Sequence, residues 1–211
     1  MTLLIKSFTL GPFQTNCYLL ADSVSEKAVV IDAPSGAAQM VDEANSQGFS
    51  ITDILITHAH FDHINGVSEL IKALNRPVPV HLHPADLPLW HQRGGSSIFG
   101  LFSEQQPDPT AELANNQIIM LGDNKIQVLY TPGHTPGHVI IYSPDAATAF
   151  TGDLIFNRGV GRTDLPGGDF TELMKSINDC IFNLPPNTRL LSGHGAETTV
   201  ENEKLGNPFF E

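Results

Sequence analysis

A dense group of potential metal ligands constrains this chain more than any other feature of its sequence. The group follows residues 51–57, whose compact apolar pattern is typical of a buried strand. Its members, His58, His60, Asp62 and His63, fall within six residues. Packing alone does not explain such a density of polar side chains. In an extended or turning segment, His58 and His60 lie on one side while the other two diverge, so one short loop can serve two metal centres.

Three more candidate ligands follow later predicted strands, and each has a glycine beside it. They are His134, Asp153 and His194. Glycine lets the backbone come close to a crowded centre. Together the candidates comprise five histidines and two aspartates, enough for two ions if one carboxylate bridges them. Such nitrogen and oxygen ligands suit Zn²⁺, Fe or Mn²⁺, and the absence of cysteine from the set disfavours a purely structural zinc site.

The remaining histidines receive other interpretations. His81 and His83 alternate along a short predicted strand, and we interpret them as structural or supporting residues. His138 lies close to the candidate site in sequence and is interpreted as a hydrogen-bond support for a ligand. His91 is expected to be solvated.

Composition excludes several classes of function. The net charge is −12, and the eleven cationic side chains are scattered, so a nucleic-acid partner is not expected. No apolar run approaches the ~20 residues that a membrane-spanning helix needs. The first twenty residues lack the features of a secretory signal, and the two cysteines, Cys17 and Cys180, are expected to be free thiols. We therefore expect a cytoplasmic protein without a membrane partner.

The order of predicted elements indicates an α/β fold. Strands are predicted over residues 3–10, 17–21, 28–32, 51–57, 78–81, 118–121, 126–130, 139–142, 148–151 and 190–191. Helices are predicted over residues 36–47, 65–74 and 170–182. Strand groups followed by a helix and a strand occur twice, which favours two sheets packed face to face with helices outside, a four-layered αββα sandwich. Residues 84–116 are predicted to form an irregular insertion with one helical segment. We expect this insertion to contribute to the wall of a pocket.

The four motifs T-H-x-H-x-D-H, G-H-T-P-G-H, T-G-D and S-G-H-G occur in this order, and the resemblance that they carry extends over almost the whole chain. Together they resemble the metallo-beta-lactamase superfamily, and in particular its short, single-domain, glyoxalase II-like hydroxyacylglutathione hydrolases of bacteria. The resemblance implies that His58, His60, His134 and Asp153 bind one metal ion. It implies that Asp62, His63 and His194 bind the second ion, with Asp153 as the bridge. True metallo-beta-lactamases lack the equivalent of Asp153, which disfavours antibiotic hydrolysis.

The resemblance also bears on the substrate. Larger glyoxalase II enzymes carry a C-terminal helical domain that contacts glutathione, and we expect residues 1–211 to form a single domain without it. The segment from Gly159 to Asp169 contains G-R-T-D and resembles persulfide dioxygenases. Arg162 in this segment is a candidate anchor for a substrate carboxylate. The alternative for Arg162 is an internal ion pair with Asp164 or Asp169.

The expected activity is hydrolysis of S-lactoylglutathione, or a similar hydroxyacylglutathione, to a hydroxy acid and glutathione. A hydroxide activated by two divalent ions, with Zn²⁺ expected and Fe or Mn as alternatives, would attack the thioester carbonyl. Asp62 is the expected catalytic residue because it can also orient that nucleophile. The alternatives are a persulfide dioxygenase with one Fe(II) ion held by His58, His134 and Asp153, and a lactonase-like hydrolase. The expected partner is the small glutathione thioester, and the expected assembly is a monomer or a small homo-oligomer.

Overall fold

The computed structural model describes residues 3–210, and within that range the chain forms two six-stranded sheets. The first sheet has the order β1 (Leu3–Leu10), β2 (Thr15–Asp22), β3 (Lys27–Ile31), β4 (Ser50–Leu55), β5 (Val80–Leu82) and β6 (Ala111–Glu112). Its first three strands are antiparallel, and the pairs from β3 to β6 are parallel.

The second sheet is built from the later part of the chain. It contains β7 (Ile118–Leu121), β8 (Asn124–Tyr130), β9 (Val139–Ser143) and β10 (Thr148–Gly152) as antiparallel neighbours. A hairpin of β11 (Ile155–Phe156) and β12 (Gly159–Val160) follows. β13 (Arg189–Ser192) then pairs parallel with β10, and β14 (Thr198–Thr199) pairs antiparallel with β13.

Helices cover the outer face of each sheet. α1 (Gln39–Ser46) and α3 (Val67–Leu74) bury apolar side chains against the first sheet, and α5 (Phe170–Ser176) and α6 (Val200–Gly206) bury theirs against the second. The short helices α2 (Phe61–Ile64) and α4 (Leu87–His91) lie in connections. The predicted four-layered αββα sandwich is therefore confirmed. None of the helices within residues 3–210 is long and apolar enough to cross a membrane.

The central strands β2, β9 and β10 are buried on both faces. Successive side chains of a strand point in opposite directions, so one set packs against the helices and the other against the opposite sheet. Along β2, Leu19 points into the core under α1 and α3, whereas Leu20 points into the core between the sheets. Along β9, Ile141 points between the sheets and Ile140 points towards α5. Each fully buried side chain of this kind contributes about 1.5–3 kcal/mol, and together they hold the strand ends that carry the site.

The elements differ from the predictions mainly at their ends. The strand predicted over residues 51–57 ends at Leu55, because the Thr57 amide donates a hydrogen bond to Asp32. The helix predicted over residues 170–182 is α-helical over Phe170–Ser176 and continues as a wider π-helical turn over Ile177–Ile181. The predicted insertion is more ordered than expected, since it contains α4, 3₁₀ turns and the sheet-edge strand β6.

Candidate metal centre

The predicted ligands meet at one edge of the sandwich, where several strands end. His58 and His60 follow β4, and Asp62 and His63 lie in α2. His134 lies between β8 and β9, whereas Asp153 and His194 follow β10 and β13. Their ligand atoms form three overlapping groups, within each of which all atoms lie within 4.8 Å of one another. These groups are His58, His60 and His134; His58, His63 and Asp153; and Asp62, His63 and His194. The structure thus brings all seven side chains together.

Asp153 lies between the two ends of this cluster. Its Oδ2 is 3.7 Å from His134 Nε2 and 3.6 Å from His194 Nε2, and its Oδ1 is 3.4 Å from His63 Nε2. At one end, His134 Nε2 is 2.8 Å from Nδ1 of His60. This arrangement agrees with a bridging carboxylate, and the assignment of each residue to one of two ions stays a prediction.

Hydrogen bonds at Nδ1 orient three of the imidazoles. His63 Nδ1 donates to Asp32 Oδ2 over 2.8 Å, and His134 Nδ1 donates to the Arg162 carbonyl over 2.8 Å. His58 Nδ1 lies 3.1 Å from the Thr57 hydroxyl. Thr57 gives its own proton to Asp32, so its oxygen accepts from His58. Because each Nδ1 is engaged, each Nε2 is the ring nitrogen left to face the centre.

Unsatisfied atoms in the described part of the chain test whether metal ions fit this cluster. His58 Nε2, His63 Nε2 and Asp153 Oδ1 are buried and have no hydrogen-bond partner among residues 3–210. Buried polar atoms without partners are costly, so native structures rarely keep them without a reason. The three residues that carry these atoms form one of the three groups described above. The donor set, nitrogen and carboxylate oxygen, fits divalent ions such as Zn²⁺, Fe²⁺ and Mn²⁺.

The electrostatics of the cluster also favour cations. Burial lowers the pKa of His58 well below its usual range, and burial together with His134 lowers the pKa of His60 to about 3. Burial alone would raise the pKa of Asp62, but His63 and the hydrogen bond from His194 outweigh it and bring the pKa to about 2. His63 and His134 likewise keep the pKa of Asp153 below its ordinary value despite burial. Despite burial, Asp62 and Asp153 raise the pKa of His63 well above its usual range, and the hydrogen bond to Asp62 raises the pKa of His194. The site therefore combines ionised carboxylates with two imidazoles, His58 and His60, that stay neutral.

Close backbone approach explains the glycines beside the ligands, as the sequence predicts. A Cβ on Gly193 would lie 2.2 Å from Asp153 Oδ1 and 2.6 Å from Cε1 of His63. Gly152 has a φ of +47°, and a Cβ there would lie 2.6 Å from the Thr57 hydroxyl. These contacts are far inside van der Waals separation, so only glycine lets these loops close around the cluster.

Two buried aspartates that support the site escaped the sequence analysis. Asp32 accepts hydrogen bonds from Thr57 and from His63, as described above. Asp86 is fully buried, and its Oδ2 accepts from the Ala59 amide and from the Thr135 hydroxyl, both over 2.8 Å. Its Oδ1 accepts from the Gly137 amide over 2.6 Å. Asp32 had a detectable signal, a carboxylate at the end of an apolar strand. Asp86 lies in the insertion over residues 84–116, where the sequence predicts a pocket wall but no role for any individual residue.

The other histidines lie outside the cluster or behind it. His81 Nε2 is 2.8 Å from Asp53 Oδ1, His83 stacks on Tyr130, and His91 is solvent-exposed and paired with Asp108. His138 is buried behind His58, with ring centroids 5.3 Å apart. The interpretation of His138 as a hydrogen-bond support was wrong, because its Nδ1 bonds to the Thr131 hydroxyl and not to a candidate ligand.

A cavity of about 370 Å³ opens onto the cluster. Five candidate ligands reach its wall, namely His60, Asp62, His134, Asp153 and His194. The rest of the lining consists of Phe13, Phe61, Phe99, Phe156, Val160, Leu165 and Arg162. Arg162 is half-exposed and makes a two-point ion pair with Asp164, with distances of 2.7 and 2.8 Å. The sequence left two alternatives for Arg162, and the structure shows the ion pair at the rim of the cavity.

Comparisons with known proteins agree with this geometry. The Lactamase_B family model, described as metallo-beta-lactamase superfamily, matches residues 10–194. Hydroxyacylglutathione hydrolase GloC of Haemophilus influenzae is 31% identical over 97% of this chain and 97% of its own. The crystal structure of the B3 metallo-beta-lactamase BLEG-1 has a TM-score of 0.90 and 35% identity, covering 98% of this chain and 99% of that one. TTHA1623, crystallised in a di-iron-bound form, has a TM-score of 0.87 and 40% identity, covering 97% and 99%.

Proposed function

This chain belongs to the metallo-beta-lactamase superfamily, and we propose that it is a metal-dependent thioester hydrolase of the glyoxalase II type. The proposed substrate is S-lactoylglutathione or a similar hydroxyacylglutathione, which is cleaved to a hydroxy acid and glutathione. The observation that carries the proposal is the buried cluster of His and Asp ligand atoms centred on Asp153 and open to one cavity. Most members of the superfamily are hydrolytic enzymes, and the similarity to GloC supports the choice of substrate.

We infer two divalent cations, Zn²⁺ in the first instance and Fe or Mn as alternatives. His58, His60 and His134 would hold one, Asp62, His63 and His194 the other, and Asp153 would contact both. When bound, such cations lower the pKa of water and polarise a carbonyl oxygen.

Asp62 is the residue to which we assign catalysis. It lines the cavity, and its Oδ2 accepts a hydrogen bond of 3.0 Å from the Thr15 hydroxyl and lies 3.1 Å from His194 Nε2. These contacts fix the carboxylate from two sides. With a pKa of about 2 it is ionised at neutral pH, so it can accept a hydrogen bond from the attacking water and direct its oxygen at the thioester carbonyl.

Departure of the thiol needs little help from the protein. A thiol has an unperturbed pKa of ~8.5, so it leaves as a thiolate without a strong general acid. Arg162 at the rim is the group we assign to a carboxylate of the glutathione moiety. Its guanidinium is shaped for carboxylates, as its pairing with Asp164 illustrates, and a substrate carboxylate would compete with that partner.

The decisive experiment is hydrolysis of S-lactoylglutathione by the purified protein, with zinc, iron and manganese counted in the same sample. Loss of the thioester absorbance without oxygen uptake, abolished by Asp62→Ala, is the expected result. An intact thioester in the presence of a full complement of metal would overturn the proposal.

Persulfide dioxygenation is the second candidate. The observation that favours it is iron, because TTHA1623, 40% identical to this chain, was crystallised in a di-iron-bound form. One Fe(II) on His58, His134 and Asp153 would leave positions open for oxygen and a persulfide. Oxygen uptake with glutathione persulfide, combined with an untouched thioester, would replace the first proposal by this one.

The similarity to BLEG-1 makes a β-lactam assay necessary. The sequence disfavours antibiotic hydrolysis because Asp153 occupies the bridging position. Turnover of nitrocefin faster than that of S-lactoylglutathione would show that this argument from Asp153 fails.

A further inference from the structure

We propose that the acyl group accepted by this site is apolar and larger than lactoyl, and that Phe13 and Phe99 select it. This inference rests on the proposed hydrolysis of glutathione thioesters and changes it only in the acyl group, since it ranks S-lactoylglutathione below thioesters with longer apolar acyl chains.

The wall of the cavity is the first observation. Apart from the five candidate ligands and Arg162, every residue that lines the cavity is apolar, and four of these are phenylalanines. A lactoyl group presents one methyl and one hydroxyl beside its carbonyl, so it would leave most of this apolar surface in contact with water. A site adapted to lactoyl would offer its hydroxyl a polar partner in the wall. Among the described residues that line the cavity, only the ion-paired Arg162 is polar besides the candidate ligands.

The exposure of these aromatic rings is the second observation. Phe13 is 43% exposed and Phe99 is 41% exposed, although each is packed against the nearly buried Phe61. The Phe13 and Phe61 rings meet edge to face with centroids 4.9 Å apart, and Phe61 and Phe99 are 5.6 Å apart. Contiguous exposed apolar side chains of this kind mark a surface that a ligand covers.

The aromatic rings of Phe13, Phe61 and Phe99 form a row that ends at Arg162. The guanidinium carbon of Arg162 is 5.7 Å from the centroid of the Phe99 ring. Glutathione carries two carboxylates, and Arg162 is the one cationic side chain lining the cavity among residues 3–210. The polar thiol moiety therefore belongs at the Arg162 end. The aromatic surface that runs from Phe99 to Phe13, on the side away from Arg162, is left for the acyl group.

The apolar surface also continues beyond the cavity. A second cavity of about 230 Å³ shares Phe13, Phe61 and Asp62 with the first. The rest of its lining combines apolar side chains, among them Leu101 and Phe102, with the polar side chains of Thr15, Ser35 and Asn65. In the described part of the chain, no cationic side chain lines it. An acyl chain that starts at the cluster can therefore extend past Phe13 without meeting a cationic side chain, which would favour a carboxylate over an apolar group.

The test begins with the unaltered, metal-loaded protein and a series of glutathione thioesters: lactoyl, acetyl, butanoyl, hexanoyl and octanoyl. Each buried methylene is worth about threefold to fourfold in kcat/KM, so hexanoylglutathione is expected to exceed both the acetyl and the lactoyl thioester by at least tenfold. A flat or falling series with lactoyl as the best substrate would overturn the inference and leave thioester hydrolysis intact. Failure to cleave any member would overturn both.

A binding measurement separates recognition from turnover. S-methyl-, S-butyl- and S-hexylglutathione cannot be hydrolysed, and calorimetry is expected to show Kd falling by at least tenfold from methyl to hexyl. Phe13→Ala and Phe99→Ala are expected to remove most of that gain and to lower the ratio of hexanoyl to lactoyl turnover by about tenfold. Phe209→Ala is the matched control, because Phe209 is 49% exposed and lines neither cavity. Equal Kd values along the series, or ratios unchanged in both variants, would refute the assignment.

Discussion

Replacing Asp86 with alanine is expected to destabilise the protein and weaken metal binding, although Asp86 is not a candidate ligand. Its carboxylate joins two separate loops of the site. One hydrogen bond goes to Ala59, between two candidate ligands, and the others go to Thr135 and Gly137, which follow His134. The Asp86→Ala substitution removes all three of these hydrogen bonds, which together connect the loop after β4 to the loop between β8 and β9.

The expected loss of stability in Asp86→Ala follows from the three hydrogen-bond donors that Asp86 accepts from. Two amides and one hydroxyl would lose their acceptor, and each buried donor without a partner costs about 1–3 kcal/mol. Burial raises the pKa of Asp86, which means that part of the hydrogen-bond energy offsets the desolvation of the carboxylate. We therefore expect the free energy of unfolding to fall by about 3–5 kcal/mol, near the lower end of the range that three such donors give. A typical domain is stabilised by roughly 5–15 kcal/mol.

Urea unfolding measures this loss, and competition with a chelator measures the metal affinity. Supporting residues of metal sites typically contribute about 10–100-fold in affinity, and we expect Asp86→Ala to fall in that range. Asp169→Ala is the control: Asp169 is exposed and caps α5 through one hydrogen bond to the Glu172 amide, so it should cost about 1 kcal/mol and leave metal affinity unchanged. An Asp86→Ala protein as stable as the control and with undiminished metal affinity would refute the reasoning.

Three further predictions concern the cluster and its rim. Asp153→Ala should reduce the metal content measured by elemental analysis to one ion or fewer and abolish turnover, because it removes the carboxylate that would contact both ions; a variant with two bound ions and full activity would show that Asp153 is not the bridging ligand. Gly193→Ala should lower metal affinity at least tenfold in a chelator titration, because its Cβ would lie 2.2 Å from Asp153 Oδ1. Asp164→Asn should lower the KM for glutathione thioesters by releasing Arg162, and Arg162→Ala should raise it. Arg189→Ala, which breaks another exposed ion pair, is the control and should leave KM unchanged.

Much of the site could be predicted because its signals are local. His58 to His63 follow an apolar strand within one segment, and the later candidates stand beside glycines at further strand ends. The continuous apolar runs of β2 and β9 likewise indicate strands that are buried on both faces. Such patterns depend on neighbouring residues, so they can be read from the chain without knowing its path.

Contacts between distant segments could not be predicted in this way. Asp86 lies 27 positions from Ala59 and 51 from Gly137, and no local pattern links these residues. The helix predicted over residues 170–182 widens after Ser176 for reasons that its apolar spacing does not reveal. Arg162 was open to two interpretations because sequence spacing does not tell whether a guanidinium turns to a neighbour or to a ligand.

The amino-acid sequence by itself determined the family, the four-layered architecture and the identity of the candidate ligands, because these depend on periodicity and on dense local motifs. Only the tertiary structure decided which carboxylates support the ligands, which imidazole nitrogens face the centre and what surrounds the reacting group. The aromatic wall illustrates the difference: Phe13, Phe61, Phe99 and Phe156 come from four separate segments. Their common surface exists only because packing of the two sheets brings the strand ends and connecting loops to one edge.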